Sequence, residues 1–150
     1  MKLLGLVFPS KSEGIKVSAF LLAARIIFGL LLVNHGFQKL TGFYSMLDTF
    51  PDPLGLGGEM SLALAIFGEL FCGMAFIFGF LTRFALIPMI TTMMVAFFIV
   101  HNGSVAEGEL AFVYLIVFVL MWFAGAGRFS VDAFIGSKLA KQCSKASLNE

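Results

Sequence analysis

Four ionisable side chains fall within or at the ends of long apolar segments of this 150-residue sequence, namely Arg25, His35, Glu69 and His101. Charged and titratable groups are costly in such surroundings, so each of them raises the question of a function. Carboxylates and imidazoles can take up and release protons during a reaction. We therefore predict that Glu69, His35 and His101 are catalytic, proton-exchanging residues.

Arg25 lies on a helical stripe of small residues that includes Gly29 and Gly36, counted at 100° per residue. Glu69 lies on a similar stripe with Gly73. Small residues let membrane helices approach closely, so both stripes should face protein. Arg25 lies roughly 11 Å and Glu69 roughly 17 Å from the inner ends of their helices. The guanidinium of Arg25 could span this difference in depth. The expected pair is either a structural ion pair or a functional carboxylate with its cationic partner.

The outer ends of the predicted helices gather further polar residues. His35 and His101 both fall toward these ends, and Lys39 emerges there as well. Above Glu69, the three side chains would form an outward-facing polar pocket. The alternative is that each histidine is an interfacial residue bonded to lipid headgroups or to the backbone. The ligand-binding residues that we predict are Arg25, Lys39 and Tyr114.

The composition indicates which elements must position these residues. Hydrophobic residues make up 59% of the sequence and charged residues only 13%, with 19 Phe and a mean hydropathy of +0.98, values far outside those of ordinary soluble domains. Four apolar blocks are long enough to cross a hydrocarbon core of roughly 30 Å, and they lack the alternation of barrel strands. The sequence thus predicts an all-α fold, a single-domain integral membrane four-helix bundle with spans at about 18–40, 60–81, 84–100 and 110–126.

Basic residues cluster on one side of this predicted bundle. One short loop and both terminal segments carry nearly all of them, whereas the two remaining connections carry five acidic residues and one lysine. Because short basic loops stay on the cytoplasmic side, we predict that both termini are cytoplasmic and that the protein resides in the cytoplasmic (inner) membrane. The basic residues concerned are Lys2, Lys11, Lys16, Arg83, Arg128, Lys138, Lys141 and Lys145.

The sequence also predicts the structure of segments outside the four spans. An apolar patch at residues 3–8 should rest at the membrane surface. The longest connection, residues 41–59, is rich in Pro and Gly and is the candidate lid or docking element. After the fourth span, Ser130 should cap a short cytoplasmic amphipathic helix that reaches Leu139. Arg25 interrupts the first apolar run and no cleavage site follows it, so we expect the first helix to remain in the mature protein.

Several kinds of chemistry lack support. The sequence has no Walker loop, GxGxxG, CxxC, HExxH or nucleophile elbow, so the mechanisms of soluble enzymes are disfavoured. Its Met residues at helical spacing are typical of core filling and not of a metal site, and its two histidines do not suggest a haem pair. We expect no metal, and we identify no flavin or haem motif. The net charge of +1 gives no reason to expect a nucleic-acid partner.

Four segments, in this order and spacing, resemble the DoxX family of small bacterial and archaeal membrane proteins. They read RIIFGLLLVNHGFQKLTG, GELFCGMAFIFGFLTRFA, MVAFFIVHNG and LMWFAGAGRFSVDAF, and the resemblance covers roughly residues 19–135. It implies a four-helix bundle in the cytoplasmic membrane. Members of the family have been associated with quinone-linked sulfur oxidation, with resistance to catechols and hydroquinones, and with oxidative-stress complexes. The recurring polar positions of the family fall on Arg25, His35, Gly36, Lys39, Glu69 and His101 and on the segment GAGRFSVD.

The resemblance and the predicted pocket favour a quinone-interacting redox or oxidative-stress-related subunit. In this hypothesis Glu69 exchanges protons together with His35 or His101. Arg25 or Lys39 would stabilise negative charge on a quinone oxygen. A protein partner would have to supply the electrons, so the chain would be one subunit of a quinone-linked oxidoreductase. Two alternatives stay open: a non-catalytic membrane scaffold or assembly factor, and a carrier of a small polar solute.

Overall fold

The computed structural model describes residues 14–146, with side chains as far as residue 141, and all regular structure in this part of the chain is helical. Four of the helices are long and apolar enough to cross a membrane, so the predicted all-α fold with four spanning helices is confirmed. The predicted surface patch at residues 3–8 lies outside the described residues. The helices are α1 (Ile15–Thr41), α2 (Phe43–Met46), α3 (Gly58–Phe78), α4 (Thr82–Val100), α5 (Val105–Ala124) and α6 (Val131–Ala146).

The ends of the spans depart from the predicted ends where a polar residue or a glycine intervenes. α5 begins at Val105 and not near residue 110, because Glu107 suits the first turn of a helix although it lowers the local hydropathy. α3 ends at Phe78 and not at residue 81, because Gly79 adopts a left-handed conformation with a φ of 67°. Hydropathy alone therefore locates the spans but not their ends.

Two of the spans contain a π-helical turn. The first, Phe67–Phe71, belongs to α3 and includes Glu69. The second, Val95–Val100, closes α4 and is followed directly by His101. A π turn holds one residue more than the corresponding α turn and frequently occurs at functional sites. Two of the predicted site residues thus lie in or beside irregular turns of otherwise regular helices.

The four spans pack in chain order around a shared apolar core. α1 packs against α3, α3 against α4, and α4 against α5, and α5 also touches α1. Fully buried members of the core include Phe76, Leu86, Met89 and Phe118. Met89 fills the core, as its helical spacing predicts. The outward faces carry many exposed large apolar side chains, which suits helices that are surrounded by lipid.

α1 and α3 approach each other closely at Gly36. A Cβ atom at Gly36 would lie 2.7 Å from the backbone N of Leu70, closer than real Cβ atoms come, and 3.0 Å from the carbonyl carbon of Glu69. Gly36, Gly29 and Arg25 are buried together on one face of α1. The predicted stripe of small residues therefore does face protein.

The α3–α4 turn at residues 79–81 marks one end of the bundle, which we call the hairpin end, and residues 42–57 mark the opposite, loop end. At the hairpin end the Asp132 carboxylate accepts hydrogen bonds from the backbone N–H groups of Leu81 (2.7 Å) and Thr82 (2.9 Å) and from the Thr82 hydroxyl (2.8 Å). The Asp132 N–H donates to the Gly79 carbonyl at 2.9 Å. Asp132 thereby caps α4 from a distant part of the sequence.

α6 follows the fourth span and begins with the predicted cap. The Ser130 hydroxyl oxygen accepts a hydrogen bond from the Ala133 N–H at 3.1 Å, which confirms Ser130 as the cap. The helix runs to Ala146, seven residues beyond the predicted end at Leu139. Phe134 is exposed, and the Lys138 ammonium lies 4.4 Å from the centroid of its ring. Mixed apolar and basic side chains of this kind are typical of a helix at a membrane surface.

Candidate functional site

A cavity of about 570 Å³ lies toward the loop end, between α3, α4 and the loop of residues 42–57. Its volume falls in the range of roughly 300–1,000 Å³ that is typical of small-molecule sites. Most of the wall is apolar. The side chains on it that can carry charge are Lys39, Glu69 and His101, and the hydroxyl groups on it belong to Ser61, Thr91 and Thr92.

A salt bridge on the wall of the cavity joins α1 to α3. Lys39, in the last turn of α1, places its ammonium 2.5 Å from both carboxylate oxygens of Glu69. The Glu69 side chain is only 5% exposed and that of Lys39 is 25% exposed. The ammonium compensates a carboxylate whose burial alone would be strongly unfavourable. A ligand in the cavity would therefore meet both an ammonium and a carboxylate.

The predicted pairing of Arg25 with Glu69 is wrong. On α1, Gly36 lies opposite Glu69 and Gly29 lies opposite Ile77. Arg25 is therefore roughly 16 Å along α1 from the level of Glu69, farther than a guanidinium reaches. The predicted depths were counted from the end of each helix. Because α1 extends beyond α3 at the hairpin end, residues at similar depths in the two helices lie at different levels of the bundle.

Arg25 instead belongs to the hairpin end, where its side chain is fully buried. Its guanidinium donates hydrogen bonds to the Phe129 carbonyl and, at 3.4 Å, to the Ile77 carbonyl. The Asp132 carboxylate acts on it as a nearby opposite charge. This predicted ligand-binding residue thus lies away from the cavity and holds the segment that precedes α6.

The two histidines occupy different places. His101 lines the cavity together with Lys39 and Glu69. His35 does not line it, and its ring lies edge-on to that of Tyr114 with the centroids 6.4 Å apart. Tyr114 is 3% exposed, and no described residue forms a hydrogen bond with its hydroxyl. Three of the four residues predicted to gather thus lie together on the wall of the cavity, namely Lys39, Glu69 and His101. His35 instead contacts Tyr114 away from this wall.

The loop of residues 42–57 forms part of the wall of the cavity. None of its residues was among the predicted site residues. Asp52 organises this loop, because its carboxylate accepts hydrogen bonds from the N–H groups of Leu56 (2.9 Å) and Gly57 (2.8 Å) and from the Ser61 hydroxyl (2.8 Å). These bonds, above all that from Gly57, lower the pKa of Asp52. An aspartate before a Gly-rich turn is the sequence signal that could have predicted this arrangement. The loop residues on the wall are Phe50, Pro51, Pro53 and Leu54.

Pro88 lies inside α4 on the wall of the cavity. The Thr92 hydroxyl donates to the Pro88 carbonyl at 2.8 Å, and the Thr91 hydroxyl donates to the Ile87 carbonyl at 2.9 Å. Threonine hydroxyls near an intramembrane proline are thus bonded to the backbone. A Cβ atom at Gly68 would lie 2.5 Å from the Thr92 hydroxyl oxygen, so α3 and α4 also approach closely beside the cavity.

The donors and acceptors on this wall suit a small molecule that carries oxygen atoms. Among the described residues, no cluster of three His, Cys, Asp or Glu side chains could hold a metal ion. The ammonium and the imidazole can donate hydrogen bonds to a bound molecule, and the carboxylate can accept them. The three hydroxyls already donate within the chain, so they can only accept. The carboxylate and the imidazole can in addition exchange protons with a bound molecule.

Known proteins include two relatives that span most of the chain. The sequence is 33% identical over 122 residues to the protein named Inner membrane protein YqjF of Escherichia coli (strain K12), which covers 78% of this chain and 92% of the relative. It is 28% identical over 134 residues to an uncharacterized protein of Haemophilus influenzae (strain ATCC 51907 / DSM 11121 / KW20 / Rd), which covers 83% of this chain and 89% of that protein. No solved structure matches the chain significantly.

The four apolar helices and the similarity to an inner membrane protein indicate a multi-pass protein of the inner membrane. The sequence model of the DoxX family matches residues 20–102. This segment includes Lys39, Glu69 and His101, the three residues that come together on the wall of the cavity. The match covers more than half of the sequence, and the chain therefore belongs to the DoxX family.

Proposed function

We propose that this protein binds the ring of a quinone or hydroquinone in the cavity, as a redox or oxidative-stress-related subunit that works with a partner protein. The observation that carries the proposal is the placement of an ammonium, a carboxylate and an imidazole on an otherwise apolar wall. A quinone matches this wall because its ring is flat and largely apolar, while its two oxygens require hydrogen-bond partners.

Lys39 and Glu69 offer suitable partners to both redox forms. A quinone oxygen only accepts hydrogen bonds, and the Lys39 ammonium donates them. A hydroquinone hydroxyl also donates, and the Glu69 carboxylate accepts. Because the two side chains contact each other, a bound ring can share their hydrogen bonds without leaving either charge unpaired.

His101 adds an imidazole, which can donate or accept a hydrogen bond and can pass a proton. Reduction of a quinone to a hydroquinone consumes two electrons and two protons, and the reverse reaction releases them. His101 and Glu69 would hold or transfer the protons at the ring oxygens. The electrons would come from the partner protein, because the sequence contains no motif for a flavin, an iron–sulfur cluster or a nicotinamide.

A thermal-shift titration with a short-chain quinone tests the proposal. A ligand that binds only the folded state raises its apparent stability, by about 2.7 kcal/mol at a hundredfold excess over Kd. We expect a shift in the wild-type protein and a weaker one in Glu69→Gln and in His101→Ala. His35→Ala is the matched control, because His35 does not line the cavity.

The titration has a clear negative outcome. Absence of a quinone-dependent shift in wild-type protein that is folded and free of endogenous quinone would contradict the proposal. An equally weakened shift in His35→Ala would instead extend the site to the contact between His35 and Tyr114. Mass spectrometry of mild-detergent extracts provides a second readout, in which we expect a co-purifying quinone.

A non-catalytic scaffold or assembly factor is the second candidate. The observation that favours it is that Lys39 and Glu69 already satisfy each other within the chain. Their salt bridge could therefore join α1 to α3 without any ligand. A scaffold predicts that ligand-free protein is stable and that quinones leave its thermal unfolding unchanged, so the same titration separates the two functions.

A further inference from the structure

An apolar groove adjoins the cavity on the outer surface of α4 and α5. It measures about 320 Å³, and none of the described residues on its wall is charged. Ile87 and Thr91 line both the groove and the cavity, so the two depressions are neighbours across one edge of α4. The remaining wall of the groove consists of Ile90, Met94, Val119, Trp122 and Phe123.

The wall of the cavity reaches the outer surface of the spans. Leu64, Phe67 and Ile87 line the cavity and are 46%, 51% and 48% exposed. Leu64 and Phe67 belong to α3 and Ile87 belongs to α4, so this exposed stretch runs between two spanning helices. At this depth the surroundings are hydrocarbon and not water. An apolar part of a ligand can therefore leave the cavity sideways into the bilayer.

The groove lies on the hairpin side of His101 and is level with the turn of α3 that contains Glu69, because this turn packs against Pro88 and Thr92 of α4. Along α4, Ile90 is roughly 16 Å from His101. Val119 and Phe123 lie in the last turns of α5, which ends at Ala124 near the hairpin end. Between the two depressions, the Thr91 hydroxyl hydrogen is already bonded to the Ile87 carbonyl. A chain that passes over this edge meets no free hydrogen-bond donor.

We propose that the ligand is a tailed membrane quinone, whose ring occupies the cavity and whose hydrocarbon chain crosses Ile87 and Thr91 into the groove. This inference rests on the proposed function and narrows it to lipid-soluble quinones, as opposed to water-soluble catechols and hydroquinones without a tail. The ring oxygens reach Lys39 and Glu69 while the chain contacts only uncharged side chains. Each part of the ligand thus meets a surface of matching polarity.

Photolabelling with a tail-modified quinone tests the proposal on the full chain in lipid nanodiscs. The probe is a quinone with a decyl chain that carries a diazirine at its end, and mass spectrometry identifies the labelled peptides. An excess of the same ring without a tail is added as a competitor, which occupies only the ring site. Labelling that this competitor removes reports specific binding, and we call it suppressible labelling. We expect suppressible labelling in peptides that contain residues 90–94 and 119–123.

Val119→Trp fills the groove without altering the cavity wall, and Val113→Trp is its matched control. Both positions are valines on α5, with exposures of 36% and 41%, and Val113 lines neither depression. Val119→Trp should reduce the suppressible labelling about tenfold, whereas Val113→Trp should change it by less than about twofold. The thermal shift that the tail-less quinone produces should be the same in both variants.

Failure of this inference is distinguishable from failure of the proposed function. If the tail-less quinone shifts the unfolding temperature but the suppressible labels lie on other helices, or are equal in Val119→Trp and Val113→Trp, the tail site is overturned and the ring site stands. If the tail-less quinone neither shifts the unfolding temperature nor suppresses any labelling, the ring site fails, and the tail site fails with it.

Discussion

The ammonium of Lys39 contacts both carboxylate oxygens of Glu69 and so joins the last turn of α1 to the π-helical turn of α3. Removal of one partner leaves the other charge partly buried. Lys39→Met and Glu69→Gln should therefore each lower the free energy of unfolding by about 1–3 kcal/mol, less than for a fully buried pair because Lys39 is partly exposed. The double variant should lose less than the sum of the single losses, as measured by unfolding of detergent-solubilised protein.

Arg25 provides the control for this double-mutant cycle. Arg25→Met and Glu69→Gln should give additive losses, because the two side chains lie at different levels of the bundle. Additive losses in the Lys39 cycle would show that the salt bridge contributes no stability. Coupling in the Arg25 cycle would show that Arg25 and Glu69 interact, contrary to the structure.

Gly36→Ala should force α1 and α3 apart beside the cavity. The added methyl group would meet the backbone of Leu70, which cannot move as a flexible side chain can. We expect a loss of about 1–3 kcal/mol in the free energy of unfolding, typical of overpacking. Gly14→Ala is the matched control, because a Cβ atom there has no neighbour within 4 Å. Equal losses in the two variants would be incompatible with the close approach.

Asp132→Ala should destabilise the hairpin end. The change leaves the N–H groups of Leu81 and Thr82 without their acceptor, which we expect to cost roughly 2–4 kcal/mol. Asp48→Ala is the control, because Asp48 is exposed and forms no hydrogen bond with the described residues. Thermal unfolding of the two variants measures the difference. A loss in Asp132→Ala no larger than that in Asp48→Ala would mean that the cap is not needed.

The loop at the cavity should loosen in acid. Hydrogen bonds hold the pKa of Asp52 below its ordinary value of 3.8, so the charged carboxylate stabilises the folded loop. That stabilisation is fully present above pH 3.8 and is lost as the pH falls through the lower, folded-state pKa. Hydrogen-exchange protection of the Leu56 and Gly57 amides should therefore fall in this acidic range. In Asp52→Ala the protection should already be low at neutral pH and should lack this acid transition.

The orientation of the bundle is a prediction that thiol labelling can check. Because basic residues favour the cytoplasmic side, a cysteine at Asp52 should react with a membrane-impermeant reagent from outside in intact cells. A cysteine at Lys141 should react only after the membrane is permeabilised. The background is set by the chain with its own cysteines replaced. The reverse labelling pattern would invert the topology.

The spans and the cap of α6 could be predicted because their signals are local. A helix that crosses hydrocarbon needs about 20 apolar residues in sequence, and four such runs are visible without knowledge of any contact. Ser130 caps α6 through a bond to a residue only three positions ahead. The stripe that contains Gly29 and Gly36 also follows from helical periodicity alone.

The partners of the charged residues could not be predicted in the same way. They depend on how far α1 is shifted along α3, and no periodicity in either helix encodes this shift. The close approach at Gly36 sets the register and brings Lys39, not Arg25, to Glu69. The π-helical turns are equally hidden, because they alter the path of a helix without altering its hydropathy.

Asp132 ties the third span to a stretch of chain that is synthesised after the fourth. While the protein is being made, the N–H groups of Leu81 and Thr82 lack their carboxylate acceptor, and Arg25 lacks the Phe129 carbonyl, until α5 has emerged. The hairpin end can therefore close only late in biosynthesis. A nascent chain that stalls before residue 129 would hold all four spans, but its hairpin end would lack both the Phe129 carbonyl that binds Arg25 and the Asp132 carboxylate that caps α4.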